Sequence, residues 1–309
     1  MEKFDFKINN LAAYLEQVDQ KLKSVGTKDI PGLDRMLVAR GKRLRPSLVI
    51  AIAEYCGVKI DEKVITAAAA VELVHLASLV HDDIIDNGTL RWGVPTINTM
   101  EGATAALLAG DYLLAKGCAL AASCGAQAGV VMAETIASLC EGQAKEIADQ
   151  FNIARTVESL NAAIKGKTCS MFVAACTLGG LAAMLDSEDT NTLSEFAEYF
   201  GLAFQYMDDI SDFTNSRETT GKSATSDIQT GNYTLPVILS LQRPNKAKLN
   251  KLLKTPNTPT QDILNILIQD RSINKAQREA QFYLNNAVKS LSKLKNNDLK
   301  NGLTNLIKF

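Results

Sequence analysis

The chain has few residues that would break or staple it. Only seven prolines occur among 309 residues, and none lies between Thr96 and Leu235. Long helices can therefore run through that stretch uninterrupted. The six cysteines (56, 118, 124, 140, 169 and 176) form no CxxC pair and sit in apolar helical contexts. That excludes a zinc ribbon or a disulfide scaffold and predicts reduced core thiols. Excess charge is also missing. A net charge of −1 gives no support to nucleic-acid binding. The longest apolar run, Met171 to Leu185, has 15 residues and includes Thr177 and two glycines. It is short for a bilayer and is expected to be a buried helix, so no membrane span is expected. The amino terminus, MEKFDFKINN, lacks the apolar core of a signal peptide, and the expected location is cytoplasmic.

Strand-type alternation is missing too. Apolar residues recur at three- and four-residue spacing almost throughout, which predicts an all-α fold. Helices are expected over residues 5–24, 28–40, 46–56, 61–86, 99–123, 128–150, 156–185, 189–213, 234–242, 259–270, 272–294 and 297–307. The segment 243–260 carries three prolines and is expected to be a loop or a short broken helix. It is too brief to divide the chain, so residues 1–309 are expected to form one domain. A hydrophobic content of 46% suffices for a large core.

Against this background the acidic residues are placed unevenly. The apolar run AAAAVELVHLASLV leads into three carboxylates, Asp82, Asp83 and Asp86. Residues four apart share a helix face, so Asp82 and Asp86 point the same way. Like charges at that spacing repel, and an apolar flank makes them costlier. A divalent cation offsets this most simply, and all-oxygen ligands suit a hard ion such as Mg2+ shared with substrate phosphates. The pattern recurs: DDISD at 208–212 supplies Asp208, Asp209 and Asp212 after a second apolar helix, EFAEYFGLAFQYM. Two such motifs suggest two helices facing one cavity, with magnesium ions around a diphosphate.

Cations accompany the motifs. In GKRLRP (41–46), Lys42, Arg43 and Arg45 cluster where Pro46 fits the first turn of a helix that Gly57 would end. A helix amino terminus favours an anion, and an arginine fork matches phosphate oxygens. The only two histidines, His75 and His81, are six apart and so do not form a metal pair. The nearby acidic motif tilts His75 towards the same cavity. Arg91 follows the turn-like NGTL and lies within sequence reach of the same anion. Lys167, beside Thr168 in an apolar helix, needs an anionic partner if buried. RETTGKSATSDIQTGNYTLP, after the second motif, has the composition of a lid, with Lys222 as its phosphate contact.

These stretches resemble the trans-prenyltransferases, the polyprenyl diphosphate synthases of the isoprenoid synthase fold. The resemblance rests on GKRLRP, HLASLVHDDIIDNGTLRWG, GDYLLAKG, GKT at 166–168, FQYMDDISD and GKSATSDIQTGNYTLP, which stand in the family's order between about residue 30 and 242. It implies an all-helical, single-domain bundle around a deep central cavity. It also implies a cytoplasmic homodimer that condenses isopentenyl diphosphate head-to-tail with an allylic diphosphate over three Mg2+ ions. Product release would need at most a peripheral membrane contact. Carried over by position, Lys42, Arg45 and His75 would hold isopentenyl diphosphate. Asp82, Asp86 and Asp208 would be the main magnesium ligands, with Asp83, Asp209 and Asp212 supporting. Arg91, Lys167, Gln205 and Lys222 would hold the allylic diphosphate, and Thr168 would line the reacting centre. The small residues Ala77, Ser78 and Val74 before the first motif would leave room for a product of twenty carbons or more, with geranylgeranyl diphosphate favoured. Two positions depart from the family pattern. Trp92 stands where a second arginine is usual, and Asn232 replaces the lysine of GKxTLP. Two other readings are set beside this one. A terpene cyclase needs no second diphosphate site, which GKRLRP and His75 argue against. A catalytic subunit of a two-component long-chain synthase stays open.

Overall fold

The computed structural model describes residues 6–38, 41–214, 226–255 and 258–307. Some 77% of the structure is helical, as the apolar spacing predicts. The chain forms two compact units. Neither unit boundary falls in the proline-bearing stretch 243–260.

The first unit comprises Glu2–Leu139, Ser170–Ala197 and Val288–Phe309. Its helices begin with α1 (Leu11–Ser24), α2 (Leu33–Val38), α3 (Leu44–Tyr55) and α4 (Glu62–Ile85). Next come α5 (Ile97–Glu101), α6 (Ala103–Cys124) and α7 (Ala126–Ala148), which continues into the second unit. After α8, which belongs to the second unit, α9 (Ser170–Ala182) returns to the first. The helix α4 is apolar on every side and is the core of this unit, packing on α1, α3, α6 and α9. Its start is set by Asp61, whose carboxylate accepts from the backbone N–H groups of Lys63 and Val64. Both α4 and α6 are long and apolar enough to cross a membrane, but 78% of the α4 window is buried inside the protein. The expected helix over 99–123 is divided at Gly102, whose φ of +86° ends α5 before α6 begins. A short hairpin, β1 (Leu90–Arg91) paired antiparallel with β2 (Val94–Pro95), was not anticipated from the sequence. Two-residue strands are too short to show alternation.

The second unit comprises Cys140–Cys169 and Glu198–Ala287. It contains α8 (Val157–Ile164), the carboxyl-terminal half of α10 (Ser187–Thr214), α11 (Ser226–Gln229), α12 (Leu235–Leu241), α13 (Lys246–Lys254), α14 (Thr260–Gln269) and most of α15 (Ser272–Ser290). Its core joins Leu160, Leu202, Tyr206, Leu235, Ile266 and Ala276. The single helix expected over 156–185 is interrupted by a π turn, Lys165–Cys169. The chain closes with α16 (Asn297–Leu306), which packs on α3. Of the cysteines expected in the core, Cys169 and Cys176 are buried, whereas Cys140 is exposed.

Candidate active site

In the first unit the three cations of GKRLRP have separate fates. Lys42 is exposed ahead of α3. Arg43 turns inward at φ +49° and is 7% exposed. Its Nη1 donates to Glu72 Oε1 and its Nε to Asp19 Oδ1, both at 2.8 Å. Burial alone would lower its pKa, but the Glu72 and Asp19 carboxylates outweigh that and raise it. Arg43 is therefore committed to the fold. Arg45, in the first turn of α3, places Nη1 3.1 Å from His75 Nε2 and lies 4.8 Å over the Phe172 ring. Its Nε is buried with no hydrogen-bond partner. Burial, opposed by Glu72, pushes its pKa down to about 10, which leaves it charged at neutral pH. The His75 imidazole is held well below its usual value, first by burial and then by Arg45, Arg91 and Arg43. A neutral His75 accepts from Arg45, so its proton sits on Nδ1. His81 instead packs against Gly110, where any Cβ would collide with its ring.

The first acidic motif closes α4. The bond from Asp86 N–H to Asp82 carbonyl, 2.8 Å, keeps these residues one turn apart as expected. Asp83 goes the other way. It is 5% exposed and accepts from Arg91 Nη2 at 2.5 Å. This ion pair anchors the hairpin, whose central residues Trp92 and Gly93 both have positive φ, +51° and +80°. A tight two-residue turn of this hand requires that backbone, which suits glycine better than tryptophan. The Trp92 ring leans over Gly41 at the start of GKRLRP, 3.3 Å from where a Cβ would stand. Below Asp82, Val74 and Ala77 are fully buried. Ser78 Oγ donates to the His75 carbonyl at 2.8 Å.

In the second unit the π turn sets Lys167 and Thr168. An extra residue per turn re-aims side chains, a feature often found at functional sites. The turn sits flush against Gly142 of α7, where a Cβ would meet the Gly166 carbonyl carbon at 2.7 Å. Lys167 is only partly buried, and its Nζ is 2.6 Å from Glu146 Oε1. Thr168 Oγ1 donates to Gln205 Oε1, and Gln205 Nε2 donates to Asp209 Oδ1, each at 2.8 Å. Asp209 is 5% exposed. Burial drives its carboxyl well above the usual range; the Gln205 bond opposes this, while Asp227, Asp208 and Asp212 add to it. Lys222 lies outside the described residues.

No three His, Cys, Asp or Glu side chains among the described residues form a ready metal cage. The fit to magnesium is of another kind. The donors are hard oxygens, and the charges of Asp227, Asp208 and Asp212 add to that of the buried Asp209. Magnesium usually takes one or two carboxylates and completes its shell with water and phosphate oxygens. Sequence reasoning passed over Asp227, Glu146 and Arg155. All three are ordinary charged residues, and they acquire their roles only through contacts distant in the chain.

The sequence pattern of the family described as Polyprenyl synthetase matches residues 32–269. Heptaprenyl diphosphate synthase component 2 of Geobacillus stearothermophilus is 33% identical over 307 residues, covering 98% of this chain and 95% of that protein. Nonaprenyl diphosphate synthase of Mycobacterium tuberculosis is 35% identical over 248 residues, covering 79% of this chain and 74% of that protein. A crystal structure of a polyprenyl synthase from Caulobacter crescentus, complexed with calcium and isoprenyl diphosphate, shares this fold. Its TM-score is 0.87 at 26% identity, with 96% of this chain and 93% of that chain covered.

Proposed function

Since this chain belongs to the polyprenyl synthetase family and is a prenyltransferase of the all-α isoprenyl diphosphate synthase fold, we propose that it condenses isopentenyl diphosphate head-to-tail with an allylic diphosphate to give a product of twenty carbons or more. Lys42 and Arg45 bind isopentenyl diphosphate. The unpartnered Nε of Arg45 offers a donor for a phosphate oxygen, and neutral His75 orients its guanidinium. Lys167, Gln205, Arg91 and Lys222 hold the allylic diphosphate. Asp82, Asp86 and Asp208, with Asp83, Asp209 and Asp212 in support, would hold Mg2+, which would supply Lewis-acid charge for the departing diphosphate. The allylic C–O bond breaks and the isopentenyl double bond, held in van der Waals reach, attacks the cation. A proton then passes to the leaving diphosphate. Water has to be kept out of the site, because it would trap the cation.

The observation that carries this reading is the chain from Thr168 through Gln205 to Asp209, ending in a carboxyl crowded by Asp208, Asp212 and Asp227. A divalent cation bound there would offset the like charges that raise the Asp209 carboxyl. The calcium and isoprenyl diphosphate in the Caulobacter structure support the same assignment. The buried, small Val74 and Ala77 favour a long product over a fifteen-carbon one, and the names of the two relatives favour seven or nine prenyl units over four.

A second reading concerns partnership. Similarity to a component 2 along nearly the whole chain favours a catalytic subunit that needs a second protein over a self-sufficient homodimer. The test is incubation of the purified chain with isopentenyl diphosphate, Mg2+ and allylic primers of ten, fifteen and twenty carbons, followed by mass analysis. Elongation by the chain alone supports the homodimer. No elongation with any primer, alone or with a companion subunit, would overturn the activity.

A further inference from the structure

Asn232 stands where the resemblance expects a lysine, and the structure shows what replaces that charge. Arg155, in the loop between α7 and α8, has a side chain 1% exposed. Its Nη1 donates to Asn232 Oδ1 at 2.8 Å and to the Tyr233 carbonyl at 3.1 Å. The two segments are also joined where Phe151 N–H donates to the Gly231 carbonyl at 2.8 Å. There the Phe151 ring sits where a Cβ on Gly231 would have to go. The loop at 149–155 and the turn at 231–233 are thus one packed element of the second unit.

The rest of the guanidinium is poorly satisfied. Arg155 Nε and Nη2 are buried and have no hydrogen-bond partner, and Nε lies 3.4 Å from Asp149 Oδ2. Asp149 is already held by Ser159 Oγ and by Asn152 Nδ2. A buried cation in this state persists only if surrounding negative charge offsets its desolvation. Burial lowers the pKa of Arg155, and three carboxylates oppose that in part: Asp149, Glu146 and Asp209. Glu146 is the partner of Lys167, and Asp209 is the end of the Thr168–Gln205 chain. Geometry ties Arg155 to the same helix end: it pairs with Asp149, whose N–H donates to the carbonyl of Glu146, the partner of Lys167.

We propose that Arg155 is a positioning residue for the allylic-diphosphate site, replacing from the 149–155 loop the cation absent at position 232 and locking the Asn232–Tyr233 turn, where the Asn232 N–H donates to the Asp227 carbonyl. This rests on the function proposed above. Because Asn232 accepts from Arg155, the two positions form an exclusive pair. A lysine at 232 would bring an ammonium against the guanidinium, and like charges in a buried setting repel strongly.

The test is a reciprocal exchange. Arg155→Met, Asn232→Lys and the double variant are compared with the wild-type chain for kcat, both KM values, the Mg2+ concentration giving half-maximal rate, and Tm. Arg155→Met is expected to lower kcat at least tenfold and to raise the Mg2+ requirement, with KM for isopentenyl diphosphate within twofold. Asn232→Lys alone is expected to lose activity and several degrees of Tm. The double variant is expected to return to within about threefold of wild-type kcat. A purely structural arginine would move Tm without moving the Mg2+ requirement and would show no rescue, and that result overturns the proposal. Wild-type or better turnover of Asn232→Lys overturns it as well, and this arm holds even if Arg155→Met fails to fold. Absence of turnover by the wild-type chain would count against the proposed function instead. The Tm arm would still decide whether the two positions exclude two cations.

Discussion

Replacing Arg43 by methionine removes a guanidinium bonded to a carboxylate that is 2% exposed, Glu72. Burial already pushes that carboxyl up, against the pull of Arg43 and Arg45. Removing one partner of a buried ion pair costs roughly 3–5 kcal/mol, because the other is left unpaired in a poor solvent for charge. The second contact, to the half-exposed Asp19, adds at most about 1 kcal/mol. At roughly 2–4 °C per kcal/mol, Arg43→Met should melt on the order of 10 °C below the wild type. Replacing both partners, as in Arg43→Met with Glu72→Leu, should recover most of that, since a pair of apolar groups of similar volume is often no less stable than the buried pair. Differential scanning calorimetry of the four corners of this cycle measures the coupling. Lys42→Ala is the contrast. Lys42 is exposed, so its loss should cost within about 0.5 kcal/mol of stability while raising KM for isopentenyl diphosphate. The reasoning fails if Arg43→Met melts like the wild type and raises that KM instead. Arg43 would then contact the ligand, and its ion pairs would be dispensable.

Four other outcomes follow. The His75 imidazole is held well below its usual value by burial and by Arg45, Arg91 and Arg43. As pH falls through about 6.5 the unfolded chain takes up a proton that the folded chain refuses, so stability present above that pH is lost below it, by up to about 1.4 kcal/mol per pH unit. Denaturation curves of wild type and His75→Gln between pH 7.5 and 5.5 should differ by that slope, and parallel curves would refute it. Asp82→Asn and Asp208→Asn should each lower turnover on the order of 10²–10³-fold with Tm preserved; near-normal rates at limiting Mg2+ would remove them from the metal site. Ser78→Phe should shorten the dominant product, read by mass analysis. It is a cleaner probe than Ala77→Phe, because Ala77 is fully buried and overpacking there costs about 1–3 kcal/mol; an unchanged product would place the floor elsewhere. Trp92→Arg should lower KM for isopentenyl diphosphate through a charge-assisted contact worth about 1.5–3 kcal/mol before local costs. A variant that melts earlier with unchanged KM would show that the ring over Gly41 is packing alone.

The long helices, their apolar faces and the places where carboxylates interrupt them were legible in the sequence. Each depends on period and composition within a few turns: an α4 apolar on every side, a proline-free middle, two DDxxD motifs at helix ends. Tertiary structure decided which charged residues serve the fold and which remain for chemistry. Lys42, Arg43 and Arg45 are three cations within four positions, yet only packing sends Arg43 to Glu72, 29 residues away, and sets Arg45 against His75. The same holds for Asp83, taken inward by Arg91, while Asp82 and Asp86 keep one helical face. The π turn under Lys167 and Thr168 arises where α7 closes in at Gly142, a steric event with no local signature. Arg155 gave no signal at all in sequence. Its meaning comes from Asn232, 77 residues on, because a buried charge is defined by the partners that surround it and those are brought together only when the chain is folded.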